Sequence, residues 1–324
     1  MKMIVTGAAG FIGSHLSERL VEQGHDVTGI DCFLDYYPKH IKEANLEKLI
    51  QSKRFTFLEQ DLLEVSWPKY LNGAHTFFHV AAQAGVRASW GKNFVIYTKN
   101  NIDTTQKILE ESKGFELNRF VFASTSSVYG DTDEIPMRET AMLKPISPYG
   151  VTKLAAEGLC YLYWKNFGVP AVCLRYFTVY GPRQRPDMAF YKFLLAALED
   201  RTITIFEDGN QTRDFTYIDD IVEGTIAAGL KGKPGVIYNL GGGSRTSVNE
   251  VIQTLQEITG KPISFRFGEK QKGDMRDTFA STERAYAELG YRPAVSLKEG
   301  LLREYEWLQG LRTRNLTYRV DTQE

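Results

Sequence analysis

Residues 3–13 of the chain are MIVTGAAGFIG, and this stretch decides the fold. Its first four residues form a short apolar run of strand-forming side chains, whereas residues 14–24 have the apolar spacing of a helix. Three glycines separate the two segments, as they do in nucleotide-binding turns. The stretch therefore predicts a strand, a tight turn and a helix at the start of an α/β fold.

The three glycines have separate tasks in such a turn. Gly7 and Gly10 allow the backbone to turn tightly and to approach a pyrophosphate, and Gly13 lets the helix pack on the strand. Phe11 and Ile12, just before the predicted helix, are expected to contact the cofactor, and the free N–H groups and positive dipole end of the helix attract an anion. We therefore expect these residues to bind the pyrophosphate of a dinucleotide.

A second strand is predicted at residues 26–30, and it ends at Asp31. An acidic side chain at that point accepts hydrogen bonds from both hydroxyls of a ribose and repels a 2′-phosphate. The expected dinucleotide is therefore NAD rather than NADP.

Further apolar runs at residues 55–58, 76–80 and 119–123 predict more strands. Five strand–helix units fit into roughly the first 175 residues, which predicts a Rossmann-type doubly wound parallel sheet with right-handed crossovers. Ligands of such sheets bind at the carboxyl edge. The residues that the strands would deliver to that edge are Asp61, Leu62, Ala81, Ala82 and Thr125.

The composition limits the class of protein. The chain has 324 residues, which exceeds one small domain, and 43% of them are hydrophobic, which is enough for a sizeable core. A net charge of -1 argues against a broad nucleic-acid surface, and no apolar stretch is long enough to span a bilayer. Three cysteines without metal-ligand spacing favour a reduced, cytoplasmic setting with no metal site.

A separate set of residues indicates chemistry. Tyr149 and Lys153 are four residues apart, so they share a helix face, and the lysine's charge can lower the pKa of the tyrosine. The hydroxyl of Thr125 can hydrogen-bond the phenolate, which makes a base for a sugar hydroxyl. Only Ser126 and Ser127 follow Thr125, so this stretch offers no carboxylate for a further acid–base step.

With these motifs the chain resembles the extended short-chain dehydrogenase/reductase family of nucleotide-sugar epimerases and dehydratases. The further stretches that carry the resemblance are residues 175–183, 213–219 and 239–242. It implies a tightly held NAD, with Tyr149 as the base, Lys153 on the nicotinamide ribose and Thr125 on the reacting hydroxyl. Cofactor contacts are further expected at Asn101 and Tyr176. For Arg175, a structural salt bridge is expected.

The residues beside Thr125 separate the reactions of that family. Dehydratases resemble one another in an Asp-Glu pair after the threonine, and decarboxylases that form UDP-xylose typically have Thr-Ser-Glu. Loss of water needs one group to remove a proton and another to protonate the leaving hydroxyl, and Ser126 and Ser127 do neither efficiently. The resemblance therefore implies oxidation at C4, rotation of the keto sugar and return of hydride to its other face.

Residues 86–90 and 178–189 indicate the sugar, because they are similar to stretches of UDP-glucuronate 4-epimerases. Galactose-type members generally have Asn at the position of Thr178. The hydroxyls of Thr125, Ser126, Ser127 and Thr178 can each donate a hydrogen bond to a sugar carboxylate. We expect them to hold it in the plane of the ketone, which would suppress loss of CO2 from a β-keto acid.

The diphosphate of such a substrate requires positive charge. Arg213 and Arg276 are the candidates by analogy with the two arginines that flank the diphosphate in the family, and a guanidinium can bind phosphate oxygens bidentately. Arg185 is a third candidate near the sugar, and Arg87 is either a substrate-loop or a surface residue. Phe206 is expected against the uracil, with core packing as the alternative.

Two interleaved units are expected rather than two consecutive blocks. Residues 1–176 with about 214–242 would form the NAD-binding unit. Residues from about 177 to 213, with 243–324, would form a smaller α/β unit that binds the nucleotide sugar.

A homodimer is also expected. The helix predicted at residues 149–167 has apolar residues on more than one face, which suggests a partner beyond its own sheet. The helix near residues 94–112 is the second candidate, and in the family these two helices pair the subunits.

The resemblance thus implies an NAD-dependent UDP-glucuronate 4-epimerase that gives UDP-galacturonate. The near alternative is another UDP-sugar 4-epimerase, of the UDP-glucose/galactose type, or a UDP-glucuronate decarboxylase. A remote alternative is a non-catalytic NAD-binding sensor, which would typically have lost Tyr149 or Lys153, and both are present.

Overall fold

The computed structural model describes residues 1–319, and its centre is a seven-stranded parallel sheet. The strands in chain order are β1 (Lys2–Thr6), β2 (Asp26–Asp31), β3 (Phe55–Glu59), β4 (Thr76–His79), β5 (Arg119–Thr125), β6 (Ala171–Tyr176), β7 (Thr178–Tyr180), β8 (Ile203–Phe206), β9 (Thr212–Tyr217), β10 (Ile237–Leu240), β11 (Arg245–Ser247) and β12 (Phe265–Gly268). The large sheet has the order β10-β6-β5-β4-β1-β2-β3. The predicted doubly wound α/β fold is confirmed, since this order reverses direction beside β1.

Helices connect the strands across both faces of this sheet. In chain order they are α1 (Phe11–Glu22), α2 (Lys39–Leu46), α3 (Trp67–Leu71), α4 (Phe94–Tyr97), α5 (Thr104–Glu111), α6 (Pro148–Phe167), α7 (Ala189–Leu198), α8 (Ile218–Lys231), α9 (Val248–Thr259), α10 (Glu283–Leu289) and α11 (Leu297–Thr313). A π-helical segment, Thr98–Asp103, joins α4 to α5. α1 begins at Phe11 rather than at residue 14, because its first turn takes in the end of the glycine stretch.

Successive residues of the central strands pack into two apolar cores. Val5 of β1 lies in the core that includes residues of α1 and α8, whereas Ile4 lies in the core that includes residues of α3, α5 and α6. This alternation follows from the pleat of a strand, whose neighbouring side chains point to opposite faces. Because helices cover both faces, the carboxyl edge of the sheet is left for ligands.

α6 carries two predicted catalytic residues, and the local sequence explains both of its ends. The Ser147 hydroxyl accepts a hydrogen bond from the backbone N–H of Gly150 at 3.1 Å, and Pro148 occupies the first turn. The helix stops at Gly168, whose φ of 71° is a left-handed conformation. Tyr149 therefore lies in the first turn of the helix.

The remaining strands form two small sheets, β11-β9-β7 and β12-β8. Within the stretch of about 214–242 that was expected in the NAD-binding unit, β9 pairs with β7 and β11 of a small sheet. The next strand along the chain, β10, pairs with β6 of the large sheet. The last five residues of the expected second unit, 320–324, lie outside the described residues.

Candidate active site

A cavity of about 1200 Å³, measured with the open space at its mouth, lies along the carboxyl edge of the large sheet. The predicted site residues that line it are Gly7, Gly10, Phe11, Ile12, Gly13, Asp31, Asp61, Leu62, Ala81, Ala82, Tyr149, Lys153, Tyr176 and Arg185. One cavity therefore joins the glycine turn to the predicted base.

The glycine turn after β1 is shaped to exclude side chains. Gly7 has a φ of 71°, and a Cβ atom there would lie 2.9 Å from the backbone of Ala81. A Cβ atom on Gly13 would lie 2.0 Å from the carbonyl oxygen of Gly7. The N-terminus of α1 at Gly10 has no side-chain cap, so its N–H groups face the ligand space. These features fit the pyrophosphate of a dinucleotide.

Asp31 ends β2 at the wall of the cavity. Its carboxylate accepts hydrogen bonds from the backbone N–H groups of Ala9 at 3.2 Å and Phe33 at 2.9 Å, which orients both oxygens. Burial raises the pKa of Asp31, and the hydrogen bonds and the charge of Lys42 oppose that rise. A carboxylate held in this way fits ribose hydroxyls and disfavours a further phosphate.

The structure brings Thr125, Tyr149 and Lys153 together. Burial raises the pKa of Tyr149, whereas the positive charge of Arg185 and a hydrogen bond with Thr125 oppose that rise. The Lys153 ammonium lies 4.2 Å from the centroid of the Phe122 ring, and burial lowers its pKa to about 8. Arg185 is thus a cationic side chain that favours the phenolate of Tyr149, in addition to the Lys153 predicted from the helix spacing.

The hydroxyl run after β5 is held by its own hydrogen bonds. The Thr125 hydroxyl donates to the Ser127 hydroxyl and accepts from the Ser127 backbone N–H, both at 3.2 Å. Ser126 is buried, and Thr178 is half-buried at the start of β7. Ser124, which precedes the run, lines the cavity. The four hydroxyl residues predicted for the sugar carboxylate, Thr125, Ser126, Ser127 and Thr178, are not among the residues that line it.

Arg185 belongs to the cavity and is held by an ion pair. Its guanidinium contacts both carboxylate oxygens of Asp187 at 3.0 Å, and Tyr36 donates a hydrogen bond to that carboxylate at 3.1 Å. Although burial opposes it, the charge of Arg185 lowers the pKa of Asp187. Sequence reasoning misses Tyr36 and Tyr37, which line the cavity. Their place shortly after Asp31 is the signal that could have indicated them.

Asn101 does not line the cavity, in contrast to its expected cofactor contact. It is buried in the π-helical segment, where its side chain accepts from the N–H of Gln83 at 2.8 Å and donates to the carbonyl of Gln83 at 3.0 Å. It also donates to the Thr152 hydroxyl at 3.0 Å. Asn101 therefore positions the loop after β4, and its neighbour Asn100 is the residue at the cavity wall.

The residues predicted for the nucleotide form a second group. The Arg87 guanidinium lies 4.2 Å from the centroid of the Phe206 ring and pairs with Asp274 at 2.6 Å. Arg213 donates to the backbone carbonyl of Arg276 at 2.7 Å. Arg87 therefore covers the aromatic face that was expected against a uracil.

The side chain of Arg276 faces two acids at the surface. Its nitrogens lie 3.8 Å from a carboxylate oxygen of Glu207 and 3.7 Å from one of Asp208. Arg213 thus contacts the backbone of Arg276 rather than its side chain. The guanidinium of Arg276 lies instead beside Glu207 and Asp208.

The glycine turn, the acidic strand end and the tyrosine–lysine helix all lie within one stretch that matches a known family. Residues 3–241 match the model of the NAD dependent epimerase/dehydratase family. The chain belongs to this family. Its cofactor fits the cavity, since the glycine turn leaves room for a pyrophosphate and Asp31 presents an oriented carboxylate.

Members of the epimerase/dehydratase family align with almost the whole chain. An uncharacterized UDP-glucose epimerase of Bacillus subtilis, YtcB, is 47% identical and covers 96% of this chain and 99% of its own length. A UDP-glucuronate 4-epimerase of Thermodesulfobacterium geofontis is 39% identical over 94% of this chain and 95% of its own.

A solved structure of the same family is also similar. It is the UDP-glucuronic acid 4-epimerase from Bacillus cereus in complex with UDP-glucuronic acid and NAD. Its TM-score to this chain is 0.94 at 46% sequence identity, covering 96% of this chain and 100% of that one.

Residues 1–319 offer neither a membrane-spanning helix nor a cluster of metal ligands. No helix there has the length and apolar character needed to cross a membrane. Within the same residues, no group of three or more His, Cys, Asp or Glu side chains could hold a metal ion.

Proposed function

We propose that this epimerase/dehydratase family member is an NAD-dependent UDP-glucuronate 4-epimerase, an isomerase that forms UDP-galacturonate. The observation that carries the proposal is the half-buried Tyr149 beside Thr125, together with the two serines that follow Thr125 where other reactions of the family need a carboxylate. The relatives named for UDP-glucuronate, and the neighbour that binds it with NAD, support the same substrate.

In this proposal each catalytic side chain has one task. Bound NAD supplies the acceptor for a hydride from C4 and the donor for its return. Tyr149 takes the proton of the C4 hydroxyl and gives it back after the sugar has turned. Thr125 orients that hydroxyl, and Lys153 holds the nicotinamide ribose. Arg185 favours the phenolate form of Tyr149 through its charge.

The serines and Thr178 would bind the carboxylate of the sugar. Ser126, Ser127 and Thr178 are neutral donors, so they bind the anion without cancelling its charge. Loss of CO2 requires the bond between the sugar ring and the carboxylate carbon to lie parallel to the π orbitals of the C4 ketone. A carboxylate held in the plane of the ketone keeps that bond perpendicular to these orbitals, which suppresses loss of CO2. This hold distinguishes the proposed epimerase from a decarboxylase.

The nucleotide would lie across the second group of residues. Arg213 and Arg276 would flank the diphosphate, and Phe206 would face the uracil once Arg87 has moved from its ring. We assign substrate binding to the two small sheets with α7, α9, α10 and α11, and NAD binding to the large sheet with α8. The two units are interleaved in the chain.

A homodimer through α4 and α6 is part of the proposal. Val95 on α4 is 66% exposed, and Tyr161 and Phe167 on α6 are 55% and 54% exposed. Apolar side chains of this size on two packed helices are typical of a subunit interface. Light scattering at micromolar concentration tests the proposal, and a monomer there would contradict it. We also propose a cytoplasmic location, in keeping with the three free cysteines.

Proton NMR of purified protein with NAD and UDP-glucuronate tests the activity. The expected result is a growing anomeric signal of UDP-galacturonate. A UDP-xylose or 4-keto-pentose signal would establish the decarboxylase instead. Turnover of UDP-glucose without turnover of UDP-glucuronate would establish the glucose-type epimerase, and no turnover of either would support a sensor.

Two variants test the carboxylate hold separately. Ser127→Glu and Thr178→Ala are expected to raise the fraction of pentose product, because each weakens the hold on the carboxylate. The measurement is the ratio of released CO2 to UDP-galacturonate. An unchanged ratio in both variants would remove the carboxylate hold from the proposal while leaving epimerisation in place.

A further inference from the structure

A buried ion pair lies behind the catalytic residues. The side chains of Glu157 and Arg175 are 4% and 1% exposed. Arg175 donates to both carboxylate oxygens, from Nε at 3.0 Å and from Nη2 at 2.8 Å, which confirms the salt bridge expected for this residue. The Ser124 hydroxyl donates to the same carboxylate at 2.5 Å. The carboxylate is therefore fully bonded to β5 and β6.

Glu157 continues the catalytic face of α6. It follows Tyr149 and Lys153 at steps of four residues, so the three side chains lie one above another along the helix. Tyr149 and Lys153 line the cavity, whereas Glu157 lies one turn deeper, against the sheet.

The partners of Glu157 precede two residues of the site. Ser124 and Arg175 are paired across β5 and β6, and the next pair towards the carboxyl edge is Thr125 with Tyr176. Fixing the first pair to α6 therefore fixes how the second pair is presented. The Arg175 guanidinium also lies 4.7 Å from the centroid of the Tyr129 ring, which completes its surroundings.

Four groups with titratable side chains face Lys153. Glu157 and Cys160 come from α6, Cys173 from β6 and His79 from β4. Burial lowers the pKa of His79 to about 3, and a hydrogen bond with Cys160 together with burial raises that of Cys173, so both are neutral near pH 7. Glu157, held in its ion pair with Arg175, is the carboxylate of the set.

We propose that Glu157 is a positioning residue for the reaction at Tyr149 and Lys153. Paired with Arg175, it aligns the carboxyl ends of β5 and β6 beneath α6 and places a negative charge one helical turn from Lys153. The inference rests on the proposed function, since its consequence is the protonation state in which the two catalytic residues meet the substrate.

The charge balance gives the effect a sign. Glu157→Gln leaves the positive Arg175 uncompensated, so Lys153 loses its proton, and Tyr149 ionises, at lower pH. Arg175→Met leaves the negative Glu157, and both steps move to higher pH. Across one turn of about 5.4 Å, with an effective dielectric constant of about 20, the shift at Lys153 is on the order of two pH units.

The test compares wild type, Glu157→Gln, Arg175→Met and the double variant, which removes both charges. The profile of kcat/KM between about pH 6 and 10 should shift to lower pH in Glu157→Gln and to higher pH in Arg175→Met. In the double variant it should return towards the wild-type profile. The double variant leaves no unpaired buried charge, so it is the one best able to fold if a single variant is not.

A second readout does not depend on turnover. The protein is labelled with 13Cζ-tyrosine and loaded with NAD, and the Tyr149 resonance is assigned with Tyr149→Phe. Its titration midpoint should shift in the same direction as the pH profile of each variant.

The outcomes separate the inference from the proposed function. Equal losses of kcat at every pH, with an unmoved Tyr149 titration, would show a purely structural ion pair and overturn the inference. If wild type fails to epimerise UDP-glucuronate, the proposed function fails, while the titration of Tyr149 still decides the role of Glu157.

Discussion

The two ends of the site are built in different ways. At the cofactor end, Gly7 and Gly13 shape the binding surface with backbone alone, because even a Cβ atom would collide with main-chain atoms. At the proposed nucleotide end, Arg87 pairs with Asp274, and Arg276 faces Glu207 and Asp208. Main-chain atoms therefore shape the cofactor end, whereas paired charged side chains form the proposed nucleotide end.

The difference implies different responses to mutation. A surface formed by main-chain atoms has no room for an added side-chain atom, so substitutions of these glycines should greatly weaken the binding of NAD. Exposed ion pairs contribute little individually, so substitutions at the nucleotide end should change affinity modestly and in either direction.

The junction of the two ends is expected to show the largest effect. Tyr149→Phe removes the proposed base while leaving the ring, so kcat should fall by about a thousandfold. Isothermal titration should find the affinities for NAD and UDP-glucuronate nearly unchanged. The control is Tyr161→Phe, an exposed residue of the same helix, which should retain full activity. Parallel losses of binding and turnover would mean that Tyr149 is part of the binding surface.

Gly13→Ala tests the backbone-shaped end. The new methyl group would meet the Gly7 carbonyl oxygen, so NAD affinity should fall about 100-fold through displacement of α1. Gly158→Ala is the matched control, since a Cβ atom there meets nothing within 4 Å. Fluorescence titration with NAD measures both. Equal NAD affinity in the two variants would contradict the difference between the ends.

Asp31→Asn separates charge from shape at the same end. The amide oxygen keeps a hydrogen-bond acceptor at the rim, but it no longer repels a 2′-phosphate, and Lys42 is close enough to attract one. The preference for NAD over NADP should fall by about tenfold. Binding of the two cofactors to the free protein checks this, with Asp26→Asn, at the opposite end of β2, as the control. An unchanged preference would mean that sterics select the cofactor.

Glu304 lies below the loop that carries Arg185, and it predicts a pH-dependent stability. It is fully buried and accepts a hydrogen bond from the N–H of Gly181 at 2.8 Å, and burial raises its pKa well above 4.5. The folded state therefore keeps a proton that the unfolded chain releases, so stability falls as pH rises above about 4.5. Glu304→Gln should raise the free energy of unfolding at pH 8 by about 1 kcal/mol and change it less at pH 4.

Urea unfolding at the two pH values measures this effect. Glu299→Gln, on the exposed side of the same helix, is the control and should show no such pH dependence. A destabilised Glu304→Gln protein at pH 8 would show that the carboxylate is ionised in the fold.

The smallest effects are expected at the nucleotide end. Arg87→Gln should raise the KM for UDP-glucuronate about fivefold, because it removes positive charge from the nucleotide group. Asp274→Asn should lower that KM about twofold, because it frees Arg87 from its partner. Steady-state kinetics at low and high salt measure both, and added salt should shrink the differences. Changes of the same sign in both variants would rule out the competition between Asp274 and a ligand.

The contrast also explains what the sequence could predict. The positions of the first strands, the glycine turn, Asp31 and the Tyr149–Lys153 helix follow from local rules, because periodicity, turn geometry and helix spacing act over a few residues. Asn101 is different, since its bonds to Gln83 depend on how a π-helical segment meets a loop.

Contacts between polar and charged side chains that are far apart in the chain are the second feature that the sequence does not predict. The pair of Arg185 with Asp187 is local in sequence, but its contact with Tyr36 crosses about half the chain, and nothing in the spacing of residues indicates it. The same holds for Arg87 with Asp274. The family resemblance indicates Arg213 and Arg276 as diphosphate ligands. It does not indicate that Glu207 and Asp208 lie beside Arg276.

The seventh strand of the large sheet has a consequence for how the chain is made. β10 pairs with β6, yet β7, β8 and β9 come between them in the sequence. During synthesis, the strands β7, β8 and β9 therefore leave the ribosome before the large sheet can be completed by β10. A nascent chain that ends before β10 exposes the unpaired edge of β6 to neighbouring chains. To exchange substrate preference between relatives, two segments must likewise be grafted together, one on each side of α8 and β10. A single continuous graft would also replace β10, which pairs with β6 in the large sheet.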